Sequence, residues 1–326
     1  MRDLTRDVVR GLTVFEMELV NHSDWRGVAH ADVRDKSITY ADTVFPTFAF
    51  LSGMSPTPWR RNVALIGLGI AYNSAGIISK GRDFQPRLVG VLQRTGLASL
   101  VFNAFPTMCP RYVALVTGLW TAVSVGLATN KKNPFDEPQN TAQTAIDRTV
   151  FGEKGLYRAD YDPEGLLGSL MTSVSMWFGA WYAQEQLDIA SSIKAGSITM
   201  AAGTALSYLW PKYFPISKPL WTPSFTLVTA GYSMVKYAAV SALLPYLPNS
   251  INYILTCMGR RSIEVFFSSA VLHNVLNRWN LWSRAKEYLA QYIGYRAADF
   301  ALVACNNALM MYLATVYVKY GVRIRL

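Results

Sequence analysis

Residues 219–259 read PLWTPSFTLVTAGYSMV-K-YAAVSALLPYLPNSINYILTCMG, so Lys236 alone interrupts a long stretch without Asp, Glu, Lys or Arg. Each part is near the roughly 20 residues that a helix needs to cross ~30 Å of hydrocarbon. A core helix of a soluble protein rarely keeps such a length neutral on every face. The stretch therefore predicts membrane-spanning helices, with Lys236 marking a break or an interface.

The same pattern recurs along the chain. Further stretches that lack these four residue types are 43–59, 62–79, 95–110, 112–130, 165–184, 195–211 and 300–318. Two more segments are apolar apart from Arg10, Glu16 and Glu18 in residues 8–20, and Glu264 and His273 in residues 262–276. Lipid offers no water to unpaired backbone groups, so helices are expected. The alternating strands of about ten residues that build a membrane barrel are not seen.

We therefore predict an all-α fold, a polytopic membrane helix bundle of about ten to eleven transmembrane helices. Residues 1–326 are expected to form one domain with a polar extramembrane loop at about 129–164, a place for a lid, a partner surface or a linker. Prolines near the ends of the apolar stretches, Pro46 among them, are expected to stop or kink helices. The charged first ten residues do not predict a cleavable signal peptide.

Composition excludes several classes of protein. Hydrophobic residues make up 51% of the 326 residues and charged residues 16%, which excludes a disordered chain. Three cysteines are too few for a disulfide scaffold. The net charge of +10 suggests nucleic acid in a soluble protein. Here the basic residues are scattered through short connections, so we predict no nucleic-acid partner and expect contact with anionic lipid headgroups instead.

Charged residues inside apolar segments are the first functional candidates, because a carboxylate in lipid usually faces a cavity or a partner. Glu16 and Glu18 stand about 200° apart around a helix, so they cannot face one cavity. Glu264 and His273 also fall on opposite sides of their helix, so they form no dyad. For each of these residues a structural role outweighs a catalytic one.

Histidine is the residue type best suited to proton transfer near neutral pH. The chain has three, and two of them, His22 and His30, lie in the polar strip 21–42. The cysteines Cys109, Cys257 and Cys305 have no CxxC spacing, so neither a metal site nor a redox pair is predicted.

Several motifs in order along the chain are similar to one family. They are Arg10-Gly11-Leu12-Thr13-Val14-Phe15 with Val20-Asn21, residues 38–48 (ITYADTVFPTF), residues 87–94 (RLVGVLQR), Asp147-Arg148, residues 151–157 (FGEKGLY), residues 161–167 (YDPEGLL) and residues 214–225 (FPISKPLWTPSF). Together these resemble the heparan-α-glucosaminide N-acetyltransferase-like membrane family. The resemblance covers residues 6–235, and the last ninety residues match only loosely.

The resemblance implies a multi-helix enzyme that takes an acetyl group from acetyl-CoA and delivers it to an amino sugar across the membrane. The family's working histidine lies in a His-Ala-x-Trp-Asn-Gly-Leu-Thr-x-Ala-Asp stretch, near an asparagine that ends the first helix. The carried-over catalytic residues are Asn21, His30 and Asp42, with His22 as an alternative base. His30-Ala31 keeps the His-Ala pair, but residues 33–37 replace Trp-Asn-Gly and the stretch is longer here; His22 keeps a His-x-x-Trp-x-Gly spacing directly after Asn21.

The implied chemistry assigns a role to each residue. His30 acts as a general base or carries the acetyl group, Asp42 orients its ring, and the Asn21 amide donates to the developing oxyanion. Arg87 and Arg94 are candidate anchors for the phosphates of coenzyme A, with headgroup anchoring as the alternative. Asp162 and Glu164 are expected to cap or staple the loop to the next helix.

A second hypothesis starts from the altered histidine motif. A catalytically inactive family member would serve as an accessory or structural subunit of a larger membrane complex, for example in the mitochondrial inner membrane. A small-solute transporter is a weaker third option, since no inverted repeat is evident. The expected partners are the lipid bilayer and a homodimer or larger membrane complex. The family implies an endomembrane or lysosome-like location, and the organelle stays open.

Overall fold

The neutral stretches of the sequence fold as helices. In the computed structural model, which describes residues 3–31, 37–55, 57–76, 87–105, 109–157 and 161–325, thirteen α-helices and no β-strand are present. The predicted all-α class is confirmed. Residues 77–79 and 106–108 of two predicted stretches, and residues 33–36 of the altered histidine segment, lie outside the described residues.

The helices follow the predicted order. They are α1 Leu4–His22, α2 Ala41–Gly53, α3 Trp59–Ser74, α4 Val91–Asn103, α5 Pro110–Gly126, α6 Ala142–Phe151, α7 Gly168–Glu185, α8 Ile189–Leu209, α9 Pro223–Leu243, α10 Asn249–Arg260, α11 Ser262–Arg278, α12 Leu281–Ile293 and α13 Tyr295–Lys319.

In residues 219–259, local sequence signals predict the start of a helix correctly but not its end. Thr222 caps α9 by accepting a hydrogen bond from the Phe225 N–H (3.3 Å), and Pro223 occupies the first turn, where its missing N–H costs nothing. Of the two alternatives predicted for Lys236, the break is wrong, because α9 runs through it, and the interface is present, because Lys236 contacts α1. The helix ends instead at the 3₁₀ turn Leu244–Tyr246, before α10.

Lys236 stays inside a helix because its charge is paired. Its ammonium donates to the Glu16 carboxylate of α1 and lies 3.2 Å from the Thr13 hydroxyl. Pro46 does not stop a helix, since it lies within α2, which continues to Gly53.

The crossing of α2 and α7 depends on two glycines for its close approach. A Cβ on Gly53 of α2 would lie 1.8 Å from the Met176 carbonyl oxygen, and one on Gly179 of α7 would lie 1.8 Å from the Phe50 carbonyl oxygen. The two backbones therefore pack directly against each other, as small residues allow in membrane helices.

Helix α8 has an inverted burial pattern. Its buried positions are Ser192, Gly196 and Gly203, whereas Ile198 keeps 59% of its surface exposed and Leu209 keeps 60%. A helix that hides small residues and exposes large apolar ones is suited to lipid on its outer face. Two helical segments of the described chain are long and apolar enough to cross a membrane by length and composition, Pro223–Tyr246 and Tyr295–Lys319. The larger number of spans stays a prediction.

The two ends of the bundle are chemically different. Asp42 in the first turn of α2, Arg94 in α4 and Lys218 before α9 lie at one end, which we call the His30 end. At the other end, the start of α1 meets the end of α2, where Arg6 donates to the Met54 carbonyl oxygen (3.2 Å). There it also meets the end of α10, where Arg260 binds Asp7 (3.3 Å). We call this the arginine end.

Candidate functional site

His30 and Asp42 are in direct contact. The His30 Nδ1 lies 2.8 Å from the Asp42 Oδ1. The other Asp42 oxygen accepts hydrogen bonds from the Ala31 N–H (3.2 Å), the Thr39 N–H (3.0 Å) and the Thr39 hydroxyl (3.0 Å). The carboxylate is thus held at both ends of the segment that links His30 to α2.

The Asp42 and His30 side chains differ in how much of their surface is buried. The Asp42 side chain is 1% exposed, while the His30 side chain keeps 47% of its surface open. With Nδ1–H donating to Asp42, the Nε2 of the ring is left as the basic nitrogen. A ring fixed by a buried carboxylate, with its other nitrogen accessible, is the arrangement that general-base catalysis requires.

Lys218 joins this pair from the segment before α9. Its Nζ lies 2.9 Å from the His30 Nδ1, 3.4 Å from Nε2 and 3.6 Å from the Asp42 Oδ1. Because Nδ1 serves one partner at a time, Lys218 donates to the carboxylate or to Nε2 when Nδ1–H faces Asp42. Burial lowers the pKa of the Lys218 ammonium, and the Asp42 and Glu164 carboxylates oppose that shift.

The turn that presents Lys218 is tightly held. The Trp221 N–H donates to the Lys218 carbonyl oxygen (3.0 Å), and Trp221 adopts a φ of 48°, which is unusual for a bulky residue. Its side chain is fully buried. Lys218 belongs to the motif at residues 214–225, but nothing local in the sequence indicates a contact with His30, 188 positions away.

Asn21 and His22 are placed differently from each other. Asn21 is exposed in the last turn of α1 and makes no side-chain hydrogen bond to another described residue. The His22 Nε2 lies 3.0 Å from the Ser269 hydroxyl and 3.3 Å from the Glu18 carboxylate, and its ring stacks on His273 with centroids 3.3 Å apart. The structure therefore brings His30 together with Asp42, while His22 belongs to a second, separate polar cluster.

The paired carboxylates of α1 behave as predicted. Glu16 binds Lys236 on one side of α1, and Glu18 binds Ser269 (2.6 Å) and Asn306 (3.0 Å) on another. The expectation that they face different surroundings is confirmed. Glu264 and His273 are likewise separate, because Glu264 accepts from the Ile324 N–H (2.8 Å) near the chain end.

The Arg87 guanidinium is paired with two carboxylates of the loop. Its Nε donates to the Asp162 Oδ2 (2.7 Å), and its terminal nitrogen binds both Asp162 and Glu164. Asp162 also accepts from the Tyr157 N–H (2.7 Å) and the Glu164 N–H (2.9 Å). Burial alone would lower the pKa of Arg87, but the Glu164 and Asp162 carboxylates outweigh it, and the net pKa is raised. Asp162 and Glu164 thus staple the loop to the segment before α4, whereas the next helix was the expected partner.

Arg94 lies deeper than Arg87. It is 2% exposed, donates to the Gly165 carbonyl oxygen (2.9 Å), and its guanidinium carbon lies 5.1 Å from the centre of the Trp221 ring. Two of its nitrogens, Nε and one terminal nitrogen, have no partner among the described residues. Arg94 therefore connects the loop to the turn that carries Lys218.

Asp147 in α6 supports the same loop, a role that sequence reasoning missed. Its Oδ1 accepts from the Leu166 N–H (2.9 Å), while its Oδ2 is buried without a partner in the described chain. Burial raises the pKa of Asp147 to about 6. The described residues contain no group of three or more His, Cys, Asp and Glu side chains placed to hold a metal ion, and the prediction of a metal-free site stays a prediction.

Comparison with known proteins gives one distant likeness. The chain is 23% identical to the heparan-alpha-glucosaminide N-acetyltransferase of Mus musculus over 361 residues, which cover 80% of this chain and 53% of the relative. It is 23% identical to the protein of the same name from Homo sapiens over 350 residues, with the same coverage. No family model matches the sequence. The chain spans about half the length of the curated relatives it matches.

Proposed function

We propose that this chain is a membrane-embedded N-acetyltransferase that moves an acetyl group from acetyl-CoA to an amino-sugar acceptor. The observation that carries the proposal is the half-exposed His30 ring held by the buried Asp42 at 2.8 Å. The distant likeness to membrane N-acetyltransferases supports the same reaction class.

The reaction needs a base because an ammonium group cannot attack a thioester. In the proposal, the His30 Nε2 takes a proton from the acceptor amine, the new N–C bond forms at the acetyl carbonyl carbon, and the C–S bond breaks. The proton then leaves on the coenzyme thiol. Asp42 holds the ring in the required tautomer and stabilises the imidazolium that forms. In the nucleophilic variant of this route, the same nitrogen carries the acetyl group briefly.

Lys218 and Asn21 have supporting roles in this proposal. The Lys218 ammonium, 3.4 Å from the His30 Nε2, places positive charge where the carbonyl oxygen becomes negative. The Asn21 amide, exposed in the last turn of α1, is the second proposed donor to that oxygen. Either donor acts only when substrate sits beside the ring.

Arg87 and Arg94 are proposed to position the loop beside the site. Arg87 uses its guanidinium on Asp162 and Glu164, and Arg94 links Gly165 to Trp221. Their predicted role as coenzyme anchors stays a prediction, and for Arg87 it requires phosphate to displace a carboxylate.

The proposed setting is one membrane domain with about ten to eleven spans. Helices such as α8 expose apolar side chains outward and bury small ones, which supports lipid around the bundle. Residues 129–164 form the proposed extramembrane loop. In it α6 lies against α5, with Gln143 donating to the Ser124 hydroxyl (3.1 Å), and the 3₁₀ turns Pro138–Asn140 and Glu153–Gly155 stand before and after α6.

The direct test is transfer of radiolabelled acetyl from acetyl-CoA to glucosamine in proteoliposomes. We expect transfer by the wild type and loss in His30→Ala. Wild-type protein without transfer, in a preparation that keeps its fold, would contradict the proposal. It would favour the inactive accessory subunit, which blue-native electrophoresis with mass spectrometry would then show in a larger complex.

A further inference from the structure

Helix α12 lies at the His30 end of the bundle and is held there by one buried lysine. The Lys286 ammonium pairs with Asp24, two residues after α1 ends, and with Asp299 near the start of α13 (2.7 Å). The Tyr295 hydroxyl donates to the same Asp24 carboxylate (2.9 Å). These contacts fix one side of α12 to the protein.

The rest of α12 is divided into an aromatic face and a polar face. Successive residues turn by about 100° around a helix. The aromatic face spans about 60° of the helix and consists of Leu281, Ala285, Tyr288 and Tyr292. The polar face spans about 100° and consists of Ser283, Arg284, Glu287 and Gln291. All eight side chains are exposed, so neither face packs on the bundle.

The aromatic face is a continuous stripe. Tyr288 keeps 60% of its surface exposed and Tyr292 keeps 70%, and their ring centroids are 5.3 Å apart. Single exposed apolar residues are ordinary, but a stripe of them along one helix face beside a polar face is typical of a helix that lies in an interface.

The next helix shows which interface this is. The segment Tyr295–Lys319, which is α13, is long and apolar enough to cross a membrane. Gly294 alone separates α12 from it, and its φ of 81° lets the chain turn between the two helices. Helix α12 therefore stands where the hydrocarbon gives way to the headgroups. Tyrosine and tryptophan are the residues that concentrate at this level of a bilayer.

The charges around the aromatic face also suit headgroups. Arg284 lies on the edge of the polar face that borders the aromatic face, and Arg296 follows α12; both are exposed. Long basic side chains reach lipid phosphates from this level of the membrane. Glu287 lies about 100° from the nearest aromatic residue, so negative charge is kept away from that border.

We propose that the aromatic face of α12 is a docking surface for the interfacial layer of the lipid bilayer. The helix lies along the membrane surface, with Tyr288 and Tyr292 between headgroups and acyl chains and with the polar face in water. Because Lys286 of this helix binds Asp24, the membrane surface also anchors the segment that leads from α1 to His30. The proposal rests on the membrane setting of the proposed function and assigns the part of the chain that meets the membrane surface.

The test measures the depth of spin labels in a bilayer and needs no turnover. The full-length protein is freed of its own cysteines by Cys109→Ser, Cys257→Ala and Cys305→Ser and reconstituted in liposomes of phosphatidylcholine and phosphatidylglycerol. One of six cysteine substitutions is then added and labelled: Ser283→Cys, Ala285→Cys, Glu287→Cys, Tyr288→Cys, Gln291→Cys or Tyr292→Cys. Power saturation with oxygen, which enters lipid, and with a water-soluble nickel chelate gives the depth of each label.

The expected result is periodic along α12. Labels at Ala285→Cys, Tyr288→Cys and Tyr292→Cys should be relaxed by oxygen more than by nickel and should lie about 5–10 Å deep in the headgroup and acyl boundary. Labels at Ser283→Cys, Glu287→Cys and Gln291→Cys are the matched controls, since they share the same helix and are equally exposed; nickel should reach them freely. Size-exclusion profiles confirm that each labelled variant is folded.

Two results would overturn the proposal. If nickel reached both faces equally, α12 would lie in water. If neither oxygen nor nickel reached the aromatic face, protein would cover it, for example a second copy of the chain.

A label on the native Cys305 separates failure of this proposal from failure of the membrane setting. Cys305 is exposed on α13 and lies ten residues after Tyr295, about 15 Å along the helix. With Cys305 kept as the one cysteine, its label should lie deep in hydrocarbon. A deep Cys305 label with both faces of α12 in water would contradict the docking surface alone. A Cys305 label in water would contradict the membrane setting of the proposed function and the docking surface with it.

Discussion

The Asp42 carboxylate binds the His30 ring at 2.8 Å while also accepting the backbone N–H groups of Ala31 and Thr39, which lie in the segment that follows His30. One buried side chain therefore fixes both the orientation of the histidine and the path of the segment that carries it. Because Asp42 binds both the ring and the segment, the His30 imidazole is held in place although the motif around it is altered.

Asp42→Asn should leave the protein folded and reduce acetyl transfer. The amide still accepts hydrogen bonds through its oxygen, but it cannot stabilise the imidazolium, so we expect a loss of about 10²-fold or more in kcat with little change in KM. The measurement is steady-state acetyl transfer beside a size-exclusion profile. Unchanged kcat would show that the contact serves structure alone.

Gly179→Ala should destabilise the crossing of α2 and α7. The new Cβ would lie 1.8 Å from the Phe50 carbonyl oxygen, so the helices must separate, at a cost of at least about 2 kcal/mol. Gly118→Ala on α5 is the control, because its Cβ meets nothing within 4 Å. Thermal unfolding followed by size-exclusion fluorescence should show a lower Tm for the first variant only.

The raised pKa of Asp147 predicts that the free energy of unfolding depends on pH. Its pKa is raised to about 6 in the folded protein, above the ordinary value of 3.8, because the carboxyl is buried. The native state therefore binds the proton more tightly than the unfolded state. The free energy of unfolding falls as pH rises from about 4 to about 6 and stays low above it.

Asp147→Asn removes this titration and keeps an oxygen for the Leu166 N–H. The variant should be more stable than the wild type at pH 7.5, by up to about 2–3 kcal/mol, and should match it near pH 4. The exposed Asp136→Asn is the control and should follow the wild type at both pH values. If the Tm of the wild type and the Tm of Asp147→Asn changed in parallel with pH, the Asp147 carboxyl would not be the source of the pH dependence.

Much of the fold was predictable because it follows from local composition. The stretches without charged residues predicted the helices. The angle between Glu16 and Glu18 around their helix predicted that the two carboxylates face different partners. The exceptions depend on distant residues: α9 continues through Lys236 because Glu16, 220 positions earlier, pairs its charge.

The candidate site was predictable only in part. The family motif pointed to His30 and Asp42, which the structure places in contact. The contact of Lys218 with His30 and the ion pairs of Arg87 with Asp162 and Glu164 are tertiary contacts, which no spacing in the sequence indicates.

We propose that His30, and not His22, is the working base of the acetyl transfer. The most direct measurement compares acetyl transfer from labelled acetyl-CoA to glucosamine by His30→Ala and His22→Ala in proteoliposomes, with folding checked by size exclusion. We expect His30→Ala to lose about 10²-fold or more in kcat/KM, and His22→Ala to stay within about threefold because its ring lies in the separate cluster with Glu18 and His273. Equal activity of the two variants, or loss in His22→Ala alone, would contradict it.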